Sequence, residues 1–346
     1  LYPEESSQSS VVNIPHFVGS NNTNNEFGYV TDNCTQLPTP TPNSQPTPTP
    51  TPAKTNFTSS PNGWFNYEIL NTSGDTEYNK SKYKQVFHDA FNRWDEVITS
   101  APGGWNLSVT VDFQVMADNI LGGAFPTMIA RTGSDFFFGQ TFVTDGKFML
   151  NTKNMSSMYN NTTEDGKNEM YYVSLHEIGH IIGIGYITFM GDMVLQKPIV
   201  SYTDTNDNTI KSYYTGVNAT REYKNYFPQF ANGILGVPVE DDGGTGTAMA
   251  HPEEGLMGFV SRNDRFINGN FHPGLETELM SGWSDAGMGK SLPMSRITIG
   301  FLQDMGFGVD YSKADNYDIT NFAPPEAPVD EVPNFDPTPT PIIVDI

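Results

Sequence analysis

Pro38 to Pro52 reads PTPTPNSQPTPTPTP. Proline at nearly every second position fixes φ and removes backbone donors. This stretch therefore suits neither a helix nor a central strand, and it predicts an extended polyproline II spacer. A shorter echo, Asp336 to Pro341 (DPTPTP), follows the proline- and acid-rich segment Ala323 to Phe335. Any compact body has to lie between the two tracts. The division that follows is an N-terminal segment at 1–37, a Pro/Thr-rich linker at 38–61, a folded part at 62–317 and a Pro-rich acidic tail at 318–346. The two ends are too small to be domains. They read either as disordered tails or as short strands offered to another chain, which predicts self-assembly through the N- and C-terminal tails. A β-branched peptide such as Ile342-Ile343-Val344-Asp345-Ile346, carried on a spacer, suits addition to a sheet edge.

Charge narrows the partners. The formal net charge is −22, with 18 Lys and Arg against 40 Asp and Glu. Such a surface repels phosphate backbones and offers no basic stripe, so nucleic acid is not an expected partner. No apolar run reaches the roughly 18 residues needed to span a bilayer, and the first residues carry neither a basic nor an apolar signal-like region. No transmembrane segment is expected. Cys34 is the single cysteine, which rules out an internal disulfide framework without fixing the compartment. Asn-x-Ser/Thr sequons recur at Asn21, Asn33, Asn56, Asn71, Asn79, Asn106, Asn154, Asn160, Asn161 and Asn218. Together with Thr-Pro tracts of the kind found in O-glycosylated stalks, they favour an extracellular or surface location.

Inside the folded part, Tyr83, Val86, Phe87, Ala90, Trp94, Val97 and Ile98 recur at three- and four-residue steps, predicting an amphipathic helix over Lys80 to Ser100. Leu107, Val109, Val111 and Phe113 alternate with polar residues and predict a half-buried strand. Further strands are expected at Trp64 to Leu70, Thr127 to Ala130 and Gln140 to Leu150, and a second helix at Asn168 to Ile182, ended by Gly183 and Gly185. Helices near Asn218 to Phe230 and Met294 to Asp304 complete an α+β pattern.

On the second helix stands His176-Glu177-Ile178-Gly179-His180. Histidines at i and i+4 share one face, about 6 Å apart along the axis, so both imidazoles can reach one ion. Glu177 lies beside them, placed to take a proton from a water activated by the metal and to return it to a leaving amine. A catalytic zinc takes three protein ligands and keeps one position open, so a third ligand must come from elsewhere. His88 on the first helix reads as a surface or packing residue and His16 lies beyond the linker, which leaves His251 and His272.

The short metzincin arrangement HExxHxxGxxH is not completed: the chain reads HEIGHIIGIGY, with Tyr186 where the last histidine would stand. HEIGHIIGIG, a long insertion and then Gly243-Gly244-Thr245-Gly246-Thr247-Ala248-Met249-Ala250-His251 resemble leishmanolysin-type peptidases instead. Glu278-Leu279-Met280-Ser281-Gly282 is similar to that family's methionine turn, and Pro293-Met294-Ser295-Arg296-Ile297-Thr298 to its following helix. The resemblance implies a zinc metallopeptidase fold, namely a twisted sheet with an active-site helix and a C-terminal subdomain. It implies zinc on His176, His180 and His251, with Met280 beneath the metal. Between His251 and Met280 the chain is longer than the family's usual spacing, which keeps His272 open as an alternative ligand and Met257 as an alternative turn methionine. The disulfide framework of the protozoan members is also missing.

Two motifs stand apart. Cys34 either latches the open zinc position or is a free or intermolecular thiol. Asp204 to Asn208 resembles the opening of a calcium loop but lacks its glycine and closing glutamate, and reads as a solvated loop. The expected function is a zinc metalloendopeptidase acting on peptide or protein substrates. The competing expectation is a structural subunit of an extracellular fibre or surface assembly that keeps the peptidase fold.

Overall fold

The structure is a computed structural model that describes residues 12–13, 57–70, 81–117, 120–131, 141–185, 188, 199–203, 210–241, 247–254, 266–267 and 270–317. Both proline tracts, His16, Cys34, Tyr186, Asp204 to Asn208, Gly243 to Gly246, Met257 and the sequons at Asn21, Asn33, Asn56, Asn71 and Asn79 lie outside these residues. In chain order the strands are β1 (Val12–Asn13), β2 (Thr58–Ser59), β3 (Phe65–Ile69), β4 (Ile98–Ser100), β5 (Leu107–Gln114), β6 (Gly122–Arg131) and β7 (Thr141–Asn151). They continue with β8 (Ile199–Thr203), β9 (Ile210–Tyr214), β10 (Val237–Val239), β11 (Phe266–Ile267), β12 (Asn270–Phe271) and β13 (Gly308–Val309). The helices are α1 (Ser81–Val97), α2 (Met155–Asn160), α3 (Glu169–Ile182), α4 (Val217–Tyr226) and α5 (Arg296–Asp304).

The main sheet has the order β1-β6-β7-β5-β3-β2, with β3, β5 and β7 parallel, β6 antiparallel to β7, and β1 antiparallel to β6. Parallel neighbours need crossover connections, and α1 carries the one from β3 to β5. Tyr83, Phe87, Phe91 and Trp94 on α1 and Leu107, Val109, Val111 and Phe113 on β5 are all fully or almost fully buried, as their periodicities predict. Helix α1 packs on α3 and β3, while α3 packs on β6 and β7, so the two helices lie side by side on the sheet. The Trp94 indole ties them by donating to the Leu175 carbonyl at 2.8 Å. The result is the expected mixed α+β fold with a twisted sheet and few helices.

Several elements differ from the sequence reading for identifiable reasons. The last residues of the Lys80 to Ser100 helix leave α1 and pair as β4 with β13, Ile98 opposite Val309 and Ser100 opposite Gly308. The strand expected at Thr127 to Ala130 is the far end of β6, whose start, Gly122-Gly123-Ala124, offers no β-branched or aromatic residue to announce it. Helix α4 stops at Tyr226, before the expected Phe230. The insertion after α3 contributes a second sheet, β10-β9-β8, that no periodic pattern foreshadows.

After this sheet, α4 and α5 pack together and close the C-terminal subdomain. One carboxylate organises the contact: Asp304 at the end of α5 accepts from the Asn218 and Ala219 amides at the start of α4, at 2.8 and 3.0 Å. It satisfies amides that α4 cannot pair internally, for its N-cap, Gly216, has no side chain to do so. Among the described residues no helix is long and apolar enough to cross a membrane.

Candidate metal centre

Helix α3 begins where the Asn168 side chain accepts from the Tyr171 amide at 2.9 Å, and it ends at Gly183. All of its residues are buried, so the HEIGH motif sits in the interior and not on a solvated face. His176 and His180 project from one face, as their spacing requires. The third imidazole at the same point is His251, fully buried. The three Nε2 atoms are 2.8 Å (His180 to His176), 3.0 Å (His180 to His251) and 3.2 Å (His176 to His251) apart.

The other ring nitrogens fix what the Nε2 atoms can be. Nδ1 of His176 lies 2.7 Å from the Leu279 carbonyl, that of His180 lies 2.9 Å from the Ile184 carbonyl, and that of His251 lies 2.8 Å from the Thr247 carbonyl. A carbonyl only accepts, so each Nδ1 carries the proton and each neutral Nε2 presents a lone pair. Three lone pairs facing one another at 3 Å have no proton to share and match the donor set of a cation. Zinc–nitrogen bonds of about 2.0–2.1 Å in a tetrahedron put nitrogens roughly 3.3 Å apart, so this triangle fits zinc after a slight opening. Burial holds the rings neutral: it lowers His176 to about 3 and His251 to about 4, and it pushes His180 well below its ordinary value, with the neighbouring imidazoles adding to the shifts of His176 and His180.

Glycines let these parts meet. A Cβ on Gly179 would stand 2.6 Å from the Met280 sulfur and 3.0 Å from the Trp94 ring, so Met280 packs directly against the histidine helix. Gly185 has φ +88°, and a Cβ there would lie 2.5 Å from the Ala250 carbonyl and 3.0 Å from His180 Nδ1. This bare backbone is what admits the loop bearing His251. On the loop itself Met249 takes φ 66°, a left-handed conformation uncommon for a side-chain-bearing residue, within the turn that aims the next-but-one side chain. Glu177 is fully buried beside β6: a Cβ on Gly122 would lie 3.4 Å from its Oε1.

His272 is placed elsewhere. Its Nδ1 lies 2.9 Å from the Asn270 carbonyl and its Nε2 accepts from the Leu235 amide at 3.0 Å, so both nitrogens serve the backbone. His88, half-buried on α1, pairs with the hydroxyl of the buried Tyr67 on β3 at 2.6 Å, a packing role.

One residue was not singled out from sequence. Glu278, fully buried, accepts from the Met280 amide at 2.7 Å through Oε2, and from the Ser295 amide (3.0 Å) and Thr298 hydroxyl (2.7 Å) through Oε1. It ties the methionine turn to the start of α5. The turn's Leu279 carbonyl in turn orients His176. Its position within Glu-Leu-Met-Ser-Gly was visible, but nothing in the spacing reveals that three donors converge on it.

The described sequon asparagines differ in what their amides do. Asn106 donates to the Gly63 carbonyl, Asn154 to the Ile120 carbonyl, Asn161 to Glu169 and the Gly287 carbonyl, and Asn218 to Asp304. Asn160 is exposed, on the last turn of α2.

Residues 60–213 match the family model described as matrixin, whose members are zinc-dependent. The match supports a metzincin-type zinc metallopeptidase, and a zinc metalloendopeptidase in general. It takes in His176, Glu177 and His180 and stops before His251 and Met280. No curated protein matches the chain.

Proposed function

We propose that this chain is a secreted or surface zinc metalloendopeptidase with a leishmanolysin-like arrangement, in which the third histidine arrives from a separate subdomain after a long insertion. The observation that carries this reading is the convergence of His176, His180 and His251 through Nε2, with each Nδ1 bound to a carbonyl and Glu177 one residue from the first ligand. Bound there, zinc supplies Lewis acidity, polarising a peptide carbonyl and lowering the pKa of a water toward about 7.

The chain's own residues do the rest. The three neutral imidazoles would hold the ion, and Glu177, buried against the start of β6, stands one residue from the first of them. Glu177 accepts the proton of the attacking water and passes it to the departing amine, as a general base and then a general acid. Its full burial keeps bulk solvent away from the carboxylate. Leu279, Ile184 and Thr247 fix ring orientation through their carbonyls, and Met280 forms the floor. The secreted or surface location is supported by the sequons and Thr-Pro tracts of the sequence. Zinc analysis combined with casein cleavage, comparing the natural chain with Glu177→Ala, tests the reading. Expected is zinc in both and cleavage only in the first; zinc without Glu177-dependent cleavage would sink it.

A further inference from the structure

A second group of metal-ligating atoms lies at the base of the turn that carries His251. Glu240, directly after β10, and Glu253 are almost fully buried and Asp241 is half-buried, and one carboxylate oxygen of each lies within 4.8 Å of the other two. The backbone brings them together. Val239 and Pro252 form an antiparallel bridge, the Glu240 amide donates to the His251 carbonyl at 3.0 Å, and the Glu253 amide donates to the Pro238 carbonyl at 2.9 Å. This pairing sets Glu240 and Glu253 diagonally on one face. Lys211 on β9 reaches the margin of the group, its Nζ 4.0 Å from Oδ2 of Asp241, the least buried of the three.

Two further oxygens point to a ligand there. Among the described residues, the Thr247 hydroxyl and Glu254 Oε2 have no hydrogen-bond partner, although both residues are almost fully buried. Both stand beside Glu240. A Cβ on Gly282 would lie 2.8 Å from the Thr247 methyl and 3.6 Å from Glu240 Oε2, and the Glu254 amide donates to that same oxygen at 3.3 Å. Burial raises the Glu254 carboxyl well above the usual range, and the charges of Asp285 and Glu240 add to the shift. Carboxylates this close repel one another in the interior, and buried oxygens without donors are costly. One cation among them relieves both.

We propose that Glu240, Asp241 and Glu253 bind a calcium ion that fastens the base of the turn delivering His251. The effect on His251 rests on the zinc reading; the calcium site does not. An all-oxygen, carboxylate-rich donor set suits a hard cation and not a second zinc. Calcium–oxygen bonds of about 2.4 Å let two oxygens on one ion stand up to about 4.8 Å apart, the spread this group shows. A site drawn from buried side chains favours calcium over magnesium, which keeps several of its waters. The ion ties Glu240 to Glu253, and these residues flank His251 on the two arms of its turn. The site lies outside residues 60–213, the segment that matches the matrixin model.

Calorimetric titration of calcium chloride into the full-length chain, with and without added zinc, tests the site. Expected is calcium binding that Glu253→Gln and Asp241→Asn each weaken by at least about tenfold, since affinity follows the number of charged ligands. Asp241 is half-buried, so its variant keeps the test alive if Glu253→Gln fails to fold. Asp204→Asn combined with Asp207→Asn, in the loop that resembles the opening of a calcium motif, should leave this binding unchanged. No calcium binding by the natural chain overturns the proposal. So does binding that both ligand variants retain, or that the Asp204 and Asp207 pair abolishes. Magnesium binding as tight as calcium binding overturns the choice of ion. Calcium at a hundred times its Kd should raise Tm by roughly 5–10 °C in the natural chain and by less in Asp241→Asn; equal shifts count against the site. Zinc release to a chromogenic chelator should be slower with calcium present in the natural chain alone, and an unchanged rate overturns the link to His251. If the chain takes up no zinc and still binds calcium in this pattern, the peptidase reading fails and the calcium site stands.

Discussion

The sheet half of the molecule and the C-terminal subdomain contribute to the proposed zinc site by different physics. From β2 to α3 the chain is organised by repetition: apolar residues on α1 and β5 recur with the period of their element, and they bury a continuous core around Trp94, Phe87 and Val109. This half supplies two histidines and Glu177 on a single buried helix. The subdomain supplies His251 and Met280 from turns, each held by a few specific contacts: the Thr247 carbonyl, the left-handed Met249, and the Glu278 carboxylate. Distributed packing tolerates local loss, whereas a position set by two or three hydrogen bonds does not. The chemistry should therefore be removable from the first half without losing the metal, and the metal from the second half without unfolding the sheet.

Substitutions can break that contrast. The largest effect is expected for Glu177→Ala, which should lower casein turnover by about 10²–10⁴-fold, the usual worth of a general base, while zinc content stays unchanged. Loss of zinc in this variant would show that the first half does not hold its ligands independently. Glu278→Gln attacks the other side. The amide can still accept from Ser295 and Thr298 through its oxygen, but it turns a donor toward the Met280 amide. Zinc affinity should fall by roughly 10–100-fold, the range for groups that orient ligands, with far-UV dichroism unchanged. Unaltered affinity would remove Glu278 from the description of the site.

Gly179→Ala probes the contact between the halves directly, since the new methyl meets Met280 and Trp94. A destabilisation of about 1–3 kcal/mol by denaturant unfolding is expected from overpacking. No change would mean that Met280 swings away freely. The smallest effect concerns His272, which burial holds at about 4 against an ordinary 6.5. The unfolded chain binds the proton first, so stability is full above pH 6.5 and is lost as pH falls toward 4. At pH 5.5 the penalty is about 1.4 kcal/mol. His272→Gln should flatten that part of the stability curve relative to the natural chain, and parallel curves would show that His272 titrates normally.

What was legible in the sequence follows the same division. Tyr83 to Trp94 and Leu107 to Phe113 declare helix and strand because burial imposes a period on them. His176, Glu177 and His180 declare a metal face because helical geometry alone brings them together. Whether His251 or His272 completes the set is a different kind of question. It depends on Gly185 leaving room for the Ala250 carbonyl, a contact between residues 65 positions apart that no local pattern encodes. The glycines at 179 and 185 were visible as letters of HEIGHIIGIG, but their meaning lies in Met280 and Ala250. The start of β6 was missed because glycine and alanine carry no strand signal, although that strand places both the room for Glu177 and the edge that β1 occupies.

Zinc stoichiometry after dialysis, measured by mass spectrometry on the natural chain, His251→Ala and His272→Ala, tests most directly whether the site is joined from two subdomains. Expected is zinc retained by the natural chain and by His272→Ala and lost from His251→Ala. Zinc held by His251→Ala as tightly as by the natural chain, or lost from His272→Ala, would contradict it.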